Sequence, residues 1–257
     1  MADIAIITGA SSGLGAEFAR QLCREAGIKE IWLIARRGDR LVALARELKH
    51  FPVKFRCFSL DLTCESAIDL LEETLKKEKP MVRWLICAAG TGKIGSNSRL
   101  SRQEIDQMIL LNTKAAVDVT HVVLPYTGKK SHILEICSTA AFQPLAGLGV
   151  YAATKAFLLS FSRSLRVENK AVVTAVCPYW IKDTSFISVA CQTKDSRAIR
   201  HFPLASKRKN VVRHALADAR LGLAVSTPGL VCTVHRMAAK ILPHGLLQLV
   251  WEWIRRI

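Results

Sequence analysis

Tyr151 and Lys155 lie four residues apart in the stretch Val150-Tyr-Ala-Ala-Thr-Lys-Ala156. On a helix, positions i and i+4 stack on one face, so this spacing sets an ammonium beside a phenol. A free phenol titrates near ~10, too high for ready proton exchange at neutral pH. A fixed cation favours the phenolate and draws that value down; reaching ~7 takes roughly 4 kcal/mol of differential stabilisation. The outcome would be a tyrosine able to act as general acid or base. Alone, such a pair is commonly a buried ring beside a solvated amine, so the rest of the chain decides the reading.

A second constellation is Thr8-Gly9-Ala-Ser11-Ser12-Gly13-Leu14-Gly15. It sits between a β-branched apolar run, Ile4–Thr8, and a helical pattern over Ala16–Ala26. Glycines allow a tight turn and close approach of a pyrophosphate, and the helix start adds unpaired N–H groups and positive dipole. The spacing is TGxxxGxG rather than GxGxxG.

The elements that must position these groups alternate. Strands are predicted at Ile4–Thr8, Glu30–Ala35, Val53–Leu60, Val82–Ala88, Ser131–Cys137 and Val172–Cys177. Helices are predicted at Ala16–Ala26, Arg37–His50, Glu65–Lys79, Arg102–Pro125 and Val150–Val167. Repeated βα units imply α/β architecture: a Rossmann-type, doubly wound parallel sheet flanked by helices. No linker or repeat divides the chain, so one domain over 1–257 is expected, with a C-terminal helical extension. Two regions depart from the pattern. Lys182–Asn210 is polar, basic and irregular, and follows a strand end where open α/β sheets place ligands. Pro228–Ile257 reads as two apolar helices broken at Pro243-His-Gly245.

The 257 residues, half of them hydrophobic, can bury a sizeable core. Thirty-seven Lys and Arg against 21 Asp and Glu give +16, which favours anionic partners such as a phosphorylated cofactor or an acidic carrier protein. The basic residues are spread along the chain without zinc-finger spacing or an aromatic RNA-binding signature, so no nucleic acid is expected. The eight cysteines contain no CxxC, and several fall in strand-like runs; a reduced cytoplasmic protein without metal follows. No signal peptide or bilayer-long apolar run is visible.

TGASSGLG followed far downstream by YAATK resembles the short-chain dehydrogenase/reductase family, from about residue 3 to residue 184. Within that family the likeness is to the bacterial hydroxysteroid-type members. The resemblance implies a catalytic set of Asn112, Ser138, Tyr151 and Lys155. Tyr151 would exchange the proton, Lys155 would lower its pKa and hold the nicotinamide ribose, Ser138 would position the reacting oxygen, and Asn112 would hold a water linking Lys155 to solvent. It further implies cofactor contacts from Thr8, Gly9, Ser11, Ser12, Gly13, Leu14 and Gly15, from Asp61 and Leu62 at the adenine, and from Ala89 and Gly90. Pro178 and Thr184 would hold the nicotinamide amide. Three departures stand out. Cys87-Ala88-Ala89-Gly90 replaces Asn-Asn-Ala-Gly, Pro178-Tyr179-Trp180 replaces Pro-Gly, and the link Val167–Ala171 is short. Where NAD enzymes carry an acid after the second strand, this chain has Ala35, then Arg36 and Arg37. Guanidinium groups suit a 2′-phosphate, so NADP(H) is expected over NAD(H), with Arg36 the main contact and Arg37 a further one.

The substrate is read from 182–210. Trp180, Phe186, Ile187 and Phe202 would form an apolar wall, with His201, Lys207, Arg208 and Lys209 within the basic stretch 197–213 meeting an anion. That suits a small-molecule alcohol or ketone, bulky and steroid- or bile-acid-like. The alternatives are a 3-oxoacyl carrier-protein reductase and, in another class, a non-catalytic cofactor-binding regulator. In the last helix, Gln248, Glu252 and Arg255 or Arg256 form a narrow polar stripe. Its apolar remainder is expected to pack on its own domain or on a second subunit, a homodimer being favoured. Peripheral membrane contact through Trp251, Trp253, Arg255 and Arg256 is the alternative.

Overall fold

A computed structural model of the chain describes residues 3–194, 198–199 and 204–256. Seven parallel strands form one sheet in the order β3-β2-β1-β4-β5-β6-β7. They are β1 (Asp3–Thr8), β2 (Glu30–Ala35), β3 (Lys54–Ser59), β4 (Met81–Cys87), β5 (His132–Ile136), β6 (Val172–Val176) and β7 (Val225–Ser226). The strand order reverses between β1 and β4, and the crevice at the carboxyl ends of those strands is where this architecture holds ligands.

Helices α1 (Gly13–Leu22), α2 (Gly38–Glu47) and α8 (Arg208–Arg220) cover one sheet face, burying Phe18, Leu22, Leu41, Leu44, Val212 and Leu216. The other face carries α3 (Glu65–Glu78), α5 (Ala115–Val123) and α6 (Gly149–Glu168), with Leu71, Leu75, Val119 and Leu165 in its core. Burial on both faces explains why the central strands read as continuous apolar runs. α4 (Arg102–Ile109) begins with a full capping box between Ser101 and Glu104. It reaches α5 through a π-turn, Leu110–Lys114, rather than continuing as one regular helix.

α7 (Phe186–Ala190), α9 (Leu230–Ile241) and α10 (His244–Arg256) complete the described helices. The break between α9 and α10 falls at Pro243, as expected from the sequence. α10 packs on its own domain: Leu247 and Trp251 are buried, and Trp251 Nε1 donates to Ala146 O at 2.9 Å. Its Leu246, Leu249 and Trp253 remain exposed, as do Leu230, Val234, Met237 and Ile241 of α9. No helix among the described residues is long and apolar enough to cross a membrane. All eight cysteines are free, five of them buried.

Candidate active site

The glycine loop turns from β1 into α1 at the reversal of strand order. Gly9 takes φ +67°, and a Cβ there would lie 2.6 Å from Ala88 O. A Cβ on Gly15 would lie 2.4 Å from Gly9 O. Both positions therefore exclude every side chain. Ser12, at the N-cap of α1, makes no side-chain cap bond, which leaves the first-turn N–H groups without a side-chain acceptor. The two loop serines accept instead from Arg37: its Nη2 donates to Ser11 Oγ and Ser12 Oγ, each at 2.9 Å.

Arg36 and Arg37 both line the crevice, but differently. Arg37 is tied to the loop, and burial, followed by repulsion from Arg40 and Arg36, lowers its pKa. Arg36 is more than half exposed and stands 3.7 Å from Asp61. The sequence placed Arg36 first; the geometry puts the guanidinium of Arg37 against the phosphate loop. At Asp61, burial alone would raise the carboxyl, but hydrogen bonds from Thr63 and the charge of Arg36 take it below the usual range.

The loop after β4 lacks the asparagines common in the likeness, yet it is pinned. Ala89 N–H donates to Thr8 Oγ1 at 3.0 Å, and Thr91 N–H donates to Asn112 Oδ1 at 2.8 Å. Asn112 sits fully buried in the π-turn, where Nδ2 donates to Thr91 O at 2.8 Å and Thr154 Oγ1 at 3.0 Å. Both amide hydrogens are thereby committed, so this side chain braces the loop and α6. A π-turn at such a place is a frequent mark of a functional position.

Ser138 follows β5 and caps a short turn, Thr139–Phe142, accepting from Ala140 N–H at 3.1 Å. Tyr151 and Lys155 are 7% and 5% exposed on the first turns of α6. Lys155 Nζ donates to Ile136 O at 2.7 Å and lies 5.8 Å from the Tyr151 ring centroid. Burial raises the Tyr151 pKa well above that of a free phenol, and a hydrogen bond with Ser138 only partly counters it. Burial likewise lowers the Lys155 amine. The sequence expected Lys155 to draw the phenol downward; within the protein's own atoms, desolvation wins.

One cleft of about 950 Å³ joins these parts. Its lining includes Gly9, Ser11, Ser12, Gly13, Leu14, Arg36, Arg37, Asp61, Leu62, Ala89, Gly90, Ser138, Tyr151, Lys155, Pro178, Trp180, Thr184 and Phe186. Thr8, Gly15 and Asn112 are not among the residues that line it. Pro178 O accepts from Thr139 N–H at 3.0 Å, joining the ends of β5 and β6. Tyr179 takes no left-handed conformation; the non-glycine residues that do, among those described, are Lys79 and Leu204. The chain therefore passes the expected glycine position without strain. Phe186 packs on Tyr151 with ring centroids 5.6 Å apart.

Three of the basic residues expected at the mouth, Lys207, Arg208 and Lys209, are not among the residues that line the cleft. Arg208 faces Asp183 at 3.8 Å and Glu17 at 3.9 Å, outside the cleft. Lys207 and Lys209 do not line the cleft, nor does Ile187. Phe202 and His201 lie outside the described residues. What sequence reasoning missed is the wall supplied by α9 and α10: Leu230, Val231, Val234, Ala238, Leu247, Val250, Trp251 and Ile254. Gln143 and His235 also face this space. The broad apolar coverage of the last helix was the available signal, since a helix must bury such a surface against something.

Residues 3–194 match the short chain dehydrogenase family. An NADP-dependent 3-hydroxy acid dehydrogenase of Salmonella typhi is 34% identical over 201 residues, covering 76% of this chain and 79% of that protein. Among solved structures, a short-chain dehydrogenase from Sphingobium yanoikuyae in complex with NADPH aligns with TM-score 0.79 and 28% identity, over 95% of each chain. A bulky-bulky ketone specific alcohol dehydrogenase from Comamonas testosteroni aligns with TM-score 0.72 and 26% identity, over 93% of this chain and 94% of that one. With its glycine loop, sheet order and buried Tyr151–Lys155 pair in one crevice, the chain belongs to the short-chain dehydrogenase family.

Proposed function

We propose that the protein is an NADP(H)-dependent oxidoreductase interconverting a secondary alcohol and a ketone, with Tyr151 as the proton-transferring group and a bulky apolar substrate of steroid-like size. The observation that carries this reading is the single cleft running from the glycine loop and Arg37, past Ser138 and Tyr151, to the apolar wall of α9 and α10. The residues fit a 2′-phosphorylated dinucleotide. The floor at Gly9 and Gly15 has no room for a Cβ, two arginines flank it, and Ala35 stands where an acid would repel a phosphate.

NADP(H) would supply the hydride and, when oxidised, a positive charge beside the phenol. The chain's own residues do the rest. The loop backbone and the α1 N-terminus receive the pyrophosphate. Arg37 and Arg36 would hold the 2′-phosphate, Asp61 and Leu62 would lie at the adenine, and Pro178 and Thr184 would hold the nicotinamide amide; all of them line the one cleft. Ser138 Oγ orients the reacting oxygen toward Tyr151. With its pKa raised by burial, Tyr151 holds its proton at neutral pH and can donate it to a developing alkoxide. In the reverse direction the phenol must first release that proton, and the Lys155 ammonium on the same helix face would favour the phenolate. Asn112 keeps the β4 loop and α6 in register, and water reaching Lys155 would rest on this braced turn.

A carrier-protein thioester would draw on the +16 charge. Among the described residues, however, Arg208 is committed to acids and no cation lines the α9–α10 end of the cleft, which favours a free ketone. Replacing Tyr151 by Phe tests catalysis against a purely regulatory role. Turnover in an NADPH-oxidation assay over bulky ketones should fall roughly 10²–10⁴-fold, while NADPH binding by fluorescence is kept. Unchanged turnover would refute the role of Tyr151. Cytoplasmic residence and a homodimer belong to the same reading, the exposed apolar residues of α9 and α10 supporting a second copy. Light scattering at the monomer mass of 28.4 kDa would count against the dimer.

A further inference from the structure

Gln143 closes the short turn that starts at Ser138, and its side chain is enclosed at 8% exposure. Its Oε1 is buried without a hydrogen-bond partner. Among the described residues three other side-chain atoms share that condition: Arg20 Nη1, His132 Nδ1 and Glu135 Oε2. Of the four residues, Gln143 is the one that lines the main cleft. A buried amide oxygen left unpaired is costly, and folded proteins rarely keep one without a use.

Its surroundings narrow that use. Among the described residues, the charged side chains lining the cleft are Arg36, Arg37, Asp61 and Lys155, all at the glycine-loop and Tyr151 end. Leu145 and Leu148, which follow Gln143 in the chain, line the same cleft with Trp251 and form one apolar cluster with it. His235 adds one further polar group, its ring set edge-on to Phe142 at 5.8 Å. Burial lowers the pKa of that imidazole, which disfavours its charged form. Among the described residues lining this end of the cleft, none offers a counter-charge to an ionised group placed here. A plain hydrocarbon would leave Oε1 unpaired.

From this geometry we infer that the substrate carries, apart from the reacting carbinol or carbonyl carbon, a second neutral hydroxyl that pairs with the Gln143 amide. A hydroxyl both donates and accepts, so it meets this amide in either orientation and can share His235. The substrate class is therefore an uncharged, apolar hydroxy-ketone and its diol product. The inference rests on the alcohol–ketone reading above and adds what distinguishes one bulky ketone from another. Discrimination of this kind is strong, because an analogue lacking the hydroxyl strands the buried amide again.

The test uses the full chain with NADPH, the parent bicyclic ketone decalone, and a set of its hydroxylated positional isomers with the hydroxyl remote from the carbonyl. At least one isomer should exceed decalone in kcat/KM by tenfold or more, with most of the difference in KM. In Gln143→Leu, that hydroxy-to-parent ratio should fall roughly 10–100-fold. Equal kcat/KM for decalone and every isomer in the unaltered protein would overturn the inference, as would a Gln143→Leu variant that lowers both by the same factor. Bound NADPH with no turnover of any ketone would instead overturn the ketone-reductase reading, and this inference with it.

Discussion

Glu135 offers a measurable consequence of this fold that does not depend on the substrate. It lies on β5, fully buried, opposite Cys87 of β4. Thr120 Oγ1 of α5 donates to Oε1 at 2.7 Å, while Oε2 has no partner. Burial raises the carboxyl from 4.5 to about 7, against the opposing pull of hydrogen bonds from Thr120 and Cys87 and of the Lys155 charge on α6. A raised acid pKa means that the folded state binds the proton more tightly than the unfolded one. Its stabilising contribution is complete below about pH 4.5, falls as pH rises, and is spent above about pH 7. A shift of about 2.5 pH units corresponds to roughly 3 kcal/mol, of which about 2.5 kcal/mol falls between pH 5 and pH 8. Glu135→Gln keeps the shape and removes the titration. Urea unfolding of both proteins at pH 5 and pH 8 isolates the term, because every other titrating group is shared. The variant should gain about 2–3 kcal/mol on the natural chain between the two pH values. A double difference under about 0.5 kcal/mol would show that the carboxyl is solvated or paired, and the argument from burial would be wrong.

Two further perturbations separate the ends of the cleft. Arg37→Ala should raise KM for NADPH roughly 10–100-fold, the worth of a charge-assisted contact, and leave KM for NADH within about threefold; equal changes for both cofactors would assign Arg37 to the loop's integrity instead. Trp251→Ala removes a buried indole and its bond to Ala146 O, so urea unfolding should show a loss of about 3–5 kcal/mol; a loss under about 1 kcal/mol would mean that α10 is not anchored through this ring.

The sheet was readable because its strands are buried on both faces and read as apolar runs bounded by turn residues: Glu30–Ala35 was expected and observed with the same bounds. β7 was not readable, since Val225–Ser226 is two residues long and owes its existence to pairing with β6. α8 has no counterpart among the helices expected from the sequence, although Val211, Val212, Ala215, Leu216 and Ala219 are spaced as one helical face and all are buried. At the site, motif order located Ser138, Tyr151, Lys155 and Asn112 in one place. Sequence could not weigh desolvation against charge at Tyr151, because the balance depends on how deeply α6 is buried. It also could not choose between Arg36 and Arg37, which differ by a single residue and are separated only by the direction each takes out of the β2–α2 turn.

The loop Cys87–Gly90 shows how a departure in sequence is absorbed. Without asparagine side chains, rigidity had to come from elsewhere, and it comes from two residues already required for other reasons. Thr8, the last residue of β1, spans to Ala89 N–H, and Asn112 spans to both backbone groups of Thr91. Cys87 then places a thiol rather than an amide beside Thr120 and Glu135. The Cys87 thiol lowers the Glu135 pKa against the larger effect of burial, and Oε2 stays unpaired behind the site. Cys87→Asn replaces the thiol with an amide, a stronger donor, and should lower the Glu135 pKa further and reduce the pH-dependent stability difference that Glu135→Gln reveals. An unchanged difference in the Cys87→Asn background would show that the two residues are energetically independent despite their contact.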